Sequence, residues 1–89
     1  MVSIIITLYN KERKIKRAID SALYQSFDDY EVIVVDDCST DNSREMCQRY
    51  GDKIKLISNN NNVGLPYSRK IGIENAQGDF ITFVDADDY

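Results

Sequence analysis

Four short apolar runs separated by helical patterns constrain the fold of this chain more than any other feature. Val2–Leu8 and residues 31–35 are β-branched and almost uninterrupted, as expected of strands that are buried on both faces. Residues 80–84 follow the same pattern, whereas residues 53–57 alternate and predict an edge strand. Strands that alternate with helices imply crossover connections and a parallel sheet covered by helices. The sequence therefore predicts an α/β, Rossmann-like fold of order β-α-β-α-β-α-β, with a mostly parallel four-stranded sheet flanked by helices.

Periodicity and end signals mark three helices between these strands. The first is predicted from apolar residues at the spacing of one helix face, namely Ile15, Ala18, Ile19, Ala22 and Leu23. The second covers residues 41–50, and its apolar side carries Met46, Cys47 and Tyr50. Its candidate caps are Ser39, Thr40 and Asp41. The third is predicted to run from Leu65 to about Ala76, and Gly78 is predicted to stop it.

Charge and residue types exclude several classes of function. The 89 residues carry a net charge of −4, which argues against nucleic acid as a partner because phosphate binding needs a basic surface. The absence of histidine excludes a histidine base and histidine metal ligands within the chain. Cys38 and Cys47 are too few for a disulfide framework, so we expect reduced thiols in a cytoplasmic protein.

One basic cluster contrasts with this acidic background. Its members are Lys11, Arg13, Lys14, Lys16 and Arg17. The simpler interpretation is the solvated face of an amphipathic helix. A surface that faces phosphate groups or a membrane is the alternative.

Polar residues collect after each predicted strand. Tyr9 and Asn10 follow the first strand, Asp36 and Asp37 the second, Ser58 and asparagines 59–62 the third, and Asp85, Asp87 and Asp88 the fourth. In open α/β sheets, ligands bind beyond the carboxyl ends of the strands. We therefore expect a single ligand site at this edge. Gly64 predicts a turn with positive φ beside it.

Each cluster has a structural and a functional interpretation. Asp85 and Asp87 would repel each other unless a divalent cation such as Mg²⁺ or Mn²⁺ lay between them, but Asp is also common at helix caps. Capping of the second helix needs only one residue, and Ser39, Thr40 and Asp41 already offer candidates. Asp37 could therefore accept hydrogen bonds from a base or ribose. Tyr9 could lie at the rim of the core or stack on a nucleobase. Arg69 could be a surface cation or could pair with a diphosphate.

Taken together, four stretches resemble the family 2 glycosyltransferases. They are VSIIITLYNKE, YEVIVVDDCSTDNS, NNNNVGLPYSRKIGIENAQGDFI and TFVDADD, in the order and spacing of that family. The resemblance covers essentially all 89 residues. It implies a GT-A fold and transfer of a sugar from a nucleotide-diphospho-sugar, with inversion at the anomeric carbon. A UDP-sugar donor and a glycan, lipid or other acceptor are implied with it.

Four residues match the family's nucleotide-binding positions. Thr7 and Tyr9 match the end of the first strand, which cradles the uracil and ribose, and Tyr9 is the stacking aromatic residue. Glu12 matches an acidic position beside the nucleotide. Asp37 matches the residue that accepts a hydrogen bond from the N3–H group of the base.

Three further residues match positions around the diphosphate. Asp85 is the first residue of the family's Asp-x-Asp motif, near the ribose and the metal's water ligands. Asp87 is the second and ligates Mn²⁺ or Mg²⁺ directly. Arg69 falls at a basic position of the family.

The sequence departs from the family pattern in a few places. Leu8 lies in a Thr7-Leu8 pair where Pro-Thr is usual, Cys38 stands where Gly is usual, and Lys70 ends a triplet that usually reads Ala-Arg-Asn. Two other enzyme and signalling classes fit less well. A receiver domain would need a phospho-accepting Asp after the third strand, where this chain has Ser58. A sugar nucleotidyltransferase would need a glycine-rich loop after the first strand.

The resemblance also bears on partners and on the extent of the domain. Residues 1–89 correspond to the nucleotide-sugar-binding part of a GT-A domain, apparently truncated after the Asp-x-Asp motif. The catalytic base and acceptor site are expected beyond Tyr89, so the rival function is a nucleotide- or metal-binding module without chemistry. Expected partners are the nucleotide-sugar donor, a membrane surface touched by the parent protein from the cytoplasmic side, and a second copy of the fragment.

Overall fold

The computed structural model describes residues 1–24 and 29–85, apart from the side chain of Asp85. The strands are β1 (Val2–Leu8), β2 (Tyr30–Asp36), β3 (Lys55–Ser58) and β4 (Phe80–Asp85). The helices are α1 (Ile15–Leu23), α2 (Ser43–Gln48) and α3 (Leu65–Asn75), with a 3₁₀ turn at Gly51–Lys53. All strand pairs are parallel and the order is β3-β2-β1-β4. The predicted α/β fold is confirmed, and β3 is the edge strand that its alternating sequence predicts.

The strand register brings the polar clusters to one edge of the sheet. Asp36 at the end of β2 pairs with Leu8 on one side and with Ser58 on the other. Asp85 at the end of β4 pairs with Thr7 of β1. The carboxyl ends of all four strands therefore lie side by side, as the sequence predicts.

The core has two layers because the residues of β1 alternate between the two faces of the sheet. Ile4, Ile6 and Leu8 pack toward α1 and α2, with the buried face of α1 formed by Ile15, Ala18, Ile19 and Ala22. Ile5 points to the opposite face, where α3 packs on β1 and β2. A Cβ atom at Gly72 would lie 2.6 Å from Cγ2 of Ile5, so α3 approaches the sheet closely at this glycine. None of the helices within the described residues is long and apolar enough to cross a bilayer.

The expectation that the fourth strand is buried on both faces is wrong. The exposed fraction is 70% for Phe80, 38% for Ile81 and 42% for Phe83. Within the described residues, β4 pairs with β1 alone, and α3 packs on β1 and β2 instead. The apolar sequence of β4 therefore does not predict its position at the edge of this sheet.

Gly78 does not stop the third helix as predicted. The helix α3 ends at Asn75, because Ala76 is already extended with φ −80° and ψ 139°. Gly78 instead allows a close approach to β1. Its N–H group donates to Oγ of Ser3 at 2.9 Å, and a Cβ atom there would lie 2.7 Å from the carbonyl oxygen of Met1.

Candidate functional site

A cavity of about 240 Å³ opens at the carboxyl edge of the sheet. It is lined by Thr7, Leu8, Tyr9, Lys11, Asp37, Leu65 and Ser68. Three of the predicted site residues, Thr7, Tyr9 and Asp37, therefore surround one space. Ligand pockets typically measure roughly 300–1,000 Å³, so this cavity suits part of a ligand, such as a nucleobase.

Tyr9 occupies the rim of this cavity. Its exposed fraction is 45%, so the ring is not part of the core. Thr7 forms the floor and is only 6% exposed. An aromatic ring that is half exposed beside a cavity offers one face for stacking, which agrees with the functional interpretation of Tyr9.

Asp37 lies in the wall of the cavity and holds the segment that leads into α3. Its Oδ1 atom accepts hydrogen bonds from Nδ2 of Asn59 at 3.1 Å and from the N–H group of Val63 at 2.8 Å. Its Oδ2 atom accepts from the N–H group of Gly64 at 2.9 Å. Gly64 has φ 90°, which confirms the predicted turn.

These hydrogen bonds keep Asp37 ionised although it is only 5% exposed. Burial alone would raise the pKa of the carboxyl group, but the donors from Val63, Asn59 and Gly64 hold that pKa below its usual value. A carboxylate offers about four lone-pair sites, and the hydroxyl group of Ser68, which also lowers this pKa, is a fourth donor beside these three. A base could therefore donate to Asp37 in place of the Ser68 hydroxyl group.

The neighbouring carboxylate, Asp36, faces the opposite side of the sheet. It is fully buried, and its Oδ1 atom accepts from the N–H group of Ser39 at 3.1 Å. Among the described residues, its Oδ2 atom has no hydrogen-bond partner. The thiol of Cys47 is buried in the same layer, and burial together with the charge of Asp36 raises its pKa to about 12. Asp36 and Asp37 thus differ in their contacts although they are adjacent in the sequence.

The loop that carries Tyr9 is tied to the segment after β2 by Asn10. Oδ1 of Asn10 accepts hydrogen bonds from the N–H groups of Thr40 at 2.7 Å and of Asp41 at 3.3 Å. The N–H group of Asn10 donates to Oγ of Ser39 at 3.0 Å. Asn10 has φ 51°, a left-handed conformation that asparagine tolerates better than most residues.

Two further contacts extend this link between the loops. The N–H group of Lys11 donates to Oγ of Ser43 at 3.0 Å, and that of Glu12 donates to Oδ2 of Asp41 at 3.2 Å. Helix α2 follows Asn42, whose side chain makes no capping bond. Asp41, one of the predicted caps, accepts the N–H group of Ser43 at 2.9 Å. The β1–α1 loop is therefore fixed in position by side chains around the start of α2.

Cys38, at the position where the family usually has glycine, adopts a left-handed conformation with φ 62°. Its Sγ atom donates a weak hydrogen bond to the carbonyl oxygen of Asn60 at 3.5 Å. A left-handed conformation costs a residue with a Cβ atom roughly 1–2 kcal/mol, whereas glycine adopts it freely.

We expect Cys38→Gly to stabilise the chain by up to about 1 kcal/mol, because the relieved strain exceeds the larger entropy that glycine has in the unfolded state. Urea unfolding followed by circular dichroism measures this difference. Cys38→Ala is the matched control: it removes the thiol but keeps the Cβ atom, so it should not stabilise. Equal effects of the two substitutions would contradict the backbone explanation.

The remaining predicted site residues lie outside this cavity or outside the described residues. Arg69 lies on α3, with its guanidinium carbon 5.6 Å from the ring centre of Phe83. Glu12 does not line the cavity, and its N–H group donates to Asp41. The side chain of Asp85 and all of Asp87 lie outside the described residues. Among the residues that are described, no three carboxylates or thiols converge to hold a metal.

Sequence reasoning missed several residues of the site. Lys11, Leu65 and Ser68 line the cavity. Lys11 is predicted only as part of the basic cluster. Asn10 and Asn59 are predicted at this edge of the sheet, but their role in holding the walls of the cavity is not. Asn10 carries a usable signal, because an asparagine shortly after a strand is typical of a left-handed turn residue.

The sequence and the fold were compared with known proteins. Residues 3–89 match the family described as Glycosyl transferase family 2. A protein of Haemophilus influenzae described as an uncharacterized glycosyltransferase is 44% identical over 92 residues, which cover 100% of this chain and 37% of that protein. The poly(ribitol-phosphate) beta-N-acetylglucosaminyltransferase TarS of Staphylococcus aureus is 37% identical over 98% of this chain and 16% of its own length.

Solved structures show the same relation. The crystal structure of S. aureus TarS 1-349 in complex with UDP-GlcNAc has a TM-score of 0.89 at 38% identity, covering 99% of this chain and 27% of that one. The mannosyltransferase PcManGT from Pyrobaculum calidifontis, in complex with GDP-Man and Mn²⁺, has a TM-score of 0.90 at 26% identity. That match covers 97% of this chain and 27% of PcManGT.

The family model spans nearly the whole chain, and the two solved structures match its fold with TM-scores of 0.89 and 0.90. The chain spans about a third or less of the length of these relatives. It belongs to glycosyl transferase family 2 and has the Rossmann-like architecture of the N-terminal half of a GT-A domain.

Proposed function

We propose that the chain is the donor-binding half of an inverting glycosyltransferase that uses a UDP-sugar. The observation that carries this proposal is the cavity at the carboxyl edge, which has Tyr9 at its rim and Asp37 in its wall. TarS, a relative with matching fold, was solved in complex with UDP-GlcNAc. The sugar donor of this chain is assigned only as a uridine diphosphate sugar.

Different residues of the cavity bind different parts of the nucleotide. Tyr9 stacks on the base, and Asp37 accepts the N–H group of the base in place of the Ser68 hydroxyl group. Lys11, which also lines the cavity, supplies positive charge toward the diphosphate. These contacts orient the donor without taking part in bond breaking.

A divalent cation is the proposed cofactor. Asp85 pairs with Thr7 in the sheet, so the backbone of the Asp-x-Asp motif begins beside the floor of the cavity. Asp85 and Asp87 would hold Mn²⁺ or Mg²⁺, whose ligands in proteins are oxygen atoms and substrate phosphates. When bound, such an ion neutralises the charge that develops on a diphosphate leaving group. PcManGT, solved with Mn²⁺, supports this choice.

We expect the chain to bind UDP at least tenfold more tightly with Mn²⁺ than in EDTA, since an ion between the carboxylates and the diphosphate removes their mutual repulsion. Isothermal titration calorimetry with UDP measures both affinities. Asp87→Asn should abolish most of the metal effect, whereas Asp88→Asn is the matched control and should retain it. Equal affinities in Mn²⁺ and EDTA would rule out the metal bridge.

Tyr9→Ala tests the base contact separately from the metal. Stacking on an aromatic side chain contributes roughly 1–3 kcal/mol, so the affinity for UDP should fall about 5- to 150-fold in Mn²⁺. Inorganic diphosphate, which lacks a base, should bind the variant as well as it binds the unchanged chain. An equal loss for both ligands would show that Tyr9 does not contact the base.

A further inference from the structure

The charge of this acidic chain is unevenly distributed. Residues 11–24 hold five cations and two carboxylates, a net charge of +3, whereas the rest of the chain carries −7. Four of the cations, Arg13, Lys14, Lys16 and Arg17, are exposed. The proposed donor site explains none of these four, because none of them lines its cavity.

Lys16 and Arg17 lie on the exposed side of α1, and Arg13 and Lys14 directly precede the helix, whose other side is buried. Ile15, Ala18, Ile19 and Ala22 are buried against the sheet. The outward surface is a shallow groove lined by Arg13, Lys16, Arg17, Asp20, Ser21 and Tyr24. We call this outward surface, together with Lys14, the α1 face.

Few of these charges are neutralised within the protein. Lys16 pairs with Asp20 at 2.7 Å, and Asp20 also accepts the hydroxyl group of Tyr50. Arg13, Lys14 and Arg17 enter none of the ion pairs found among residues 1–24 and 29–84. Three guanidinium or ammonium groups are therefore available to an external anionic partner.

Tyr24 adds a second kind of group at the far end of the α1 face. Its exposed fraction is 92%, the largest among the exposed large hydrophobic side chains of the described residues. A tyrosine with an apolar ring and a polar hydroxyl group is favoured at the interface between lipid and water. Long lysine and arginine side chains can extend their charges to the same level.

We propose that the α1 face docks on an anionic phospholipid bilayer. A membrane is an extended, flat, negatively charged surface, so it can contact cations spread along a helix that do not converge on one point. It also meets a single face of the protein, so the net +3 of residues 11–24 can contact it although the whole chain is acidic. Tyr24 is the one large apolar side chain among the described residues that line the groove, so the attraction is mainly electrostatic and sensitive to salt.

Docking through the α1 face would also orient the carboxyl edge of the sheet. Arg13 lies two residues after Lys11, which lines the cavity. The bilayer would therefore lie near the mouth of the donor site. The docking proposal does not depend on the donor proposal, because lipid binding and nucleotide binding are measured separately.

Vesicle co-sedimentation of the 89-residue chain tests the proposal. We expect at least tenfold stronger binding to vesicles of phosphatidylcholine mixed with phosphatidylglycerol than to phosphatidylcholine alone. This binding should be lost at about 1 M salt, where the Debye length is ~3 Å. Failure to bind the anionic vesicles, or binding that survives high salt, would overturn the proposal.

Two double variants show whether vesicle binding depends on the α1 face or only on the net charge of the chain. Arg13→Gln with Arg17→Gln should weaken vesicle binding about 30-fold, equivalent to ~1 kcal/mol for each of two charges. Lys55→Gln with Lys70→Gln makes the same change of charge on β3 and α3 and should bind like the unchanged chain. Equal losses would contradict a defined docking face.

Two further measurements complete the test. Circular dichroism of each double variant should show the same thermal unfolding as the unchanged chain, since all four replaced side chains are exposed. An oligonucleotide duplex provides a second polyanion. Duplex binding as strong as vesicle binding, and lost in the same Arg13 and Arg17 variant, would replace the membrane by nucleic acid as the partner.

Discussion

Asp37→Asn is expected to lower the free energy of unfolding by about 3 kcal/mol, whereas Asp36→Asn should change it by less than about 1 kcal/mol. The carboxylate of Asp37 accepts three hydrogen bonds in a buried position. Hydrogen bonds to a charged group contribute ~1.5–3 kcal/mol each, and an amide can keep only some of them. One amide donor of the new asparagine would also face a backbone donor, either Val63 or Gly64.

Asp36 provides the matched control because it is adjacent, equally buried and chemically identical. Only its Oδ1 atom is engaged, by Ser39, and an asparagine keeps that acceptor. Its Oδ2 atom has no partner among the described residues, so the substitution exchanges one unpartnered buried polar group for another. The net change in the free energy of unfolding is therefore small. Urea unfolding followed by circular dichroism gives both free energies under identical conditions.

The pH dependence of the free energy of unfolding separates the contribution of the Asp37 charge from that of its side-chain shape. Its pKa is lowered in the folded chain, so its contribution to stability is present above the unfolded value of about 3.9. That contribution is lost as the pH falls through the lower, folded pKa. The unchanged chain should therefore lose more stability than Asp37→Asn between about pH 5 and pH 2. Parallel acid unfolding curves would show that the hydrogen bonds of Asp37 do not depend on its charge.

Fold and site position follow from the sequence because they rest on local patterns. β-Branched runs between amphipathic helices specify a parallel sheet, and that topology brings the polar ends of the strands together. The burial of β4 was predicted wrongly because hydrophobicity does not specify the place of a strand in the sheet. Phe80 is as apolar as the core residues, yet strand order leaves it 70% exposed. Strand order depends on pairing between strands that are far apart in the sequence, so a short stretch of sequence does not determine it.

The internal contacts of the site could not be predicted from the sequence either. Asp37 was predicted as a ligand for a base, but its donors come from residues 59–64, more than 20 positions away. The role of Gly78 likewise depends on Ser3, at the other end of the chain. Such contacts form only after the sheet is assembled, so a local pattern can indicate a polar residue without identifying its partner.

Asn10→Ala is expected to cost about 2–3 kcal/mol of unfolding free energy and to weaken UDP binding about tenfold. Two causes add. Alanine adopts φ 51° less readily than asparagine, and the acceptor for the N–H groups of Thr40 and Asp41 is lost. Affinity falls because Tyr9 precedes Asn10, so its ring is no longer held at the rim of the cavity. Calorimetry with UDP, at a temperature where the variant is fully folded, measures the second effect.

Two further substitutions of Asn10 separate these causes. Asn10→Gly relieves the left-handed strain but offers no acceptor, so we expect about half of the loss in stability and nearly the full loss in UDP affinity. Asn10→Asp keeps an acceptor oxygen and tolerates positive φ, so it should restore both quantities. A purely structural role of Asn10 would instead make the loss of UDP affinity proportional to the loss of stability across the three variants. Full UDP affinity in Asn10→Gly would show that the side-chain link to the start of α2 does not position Tyr9.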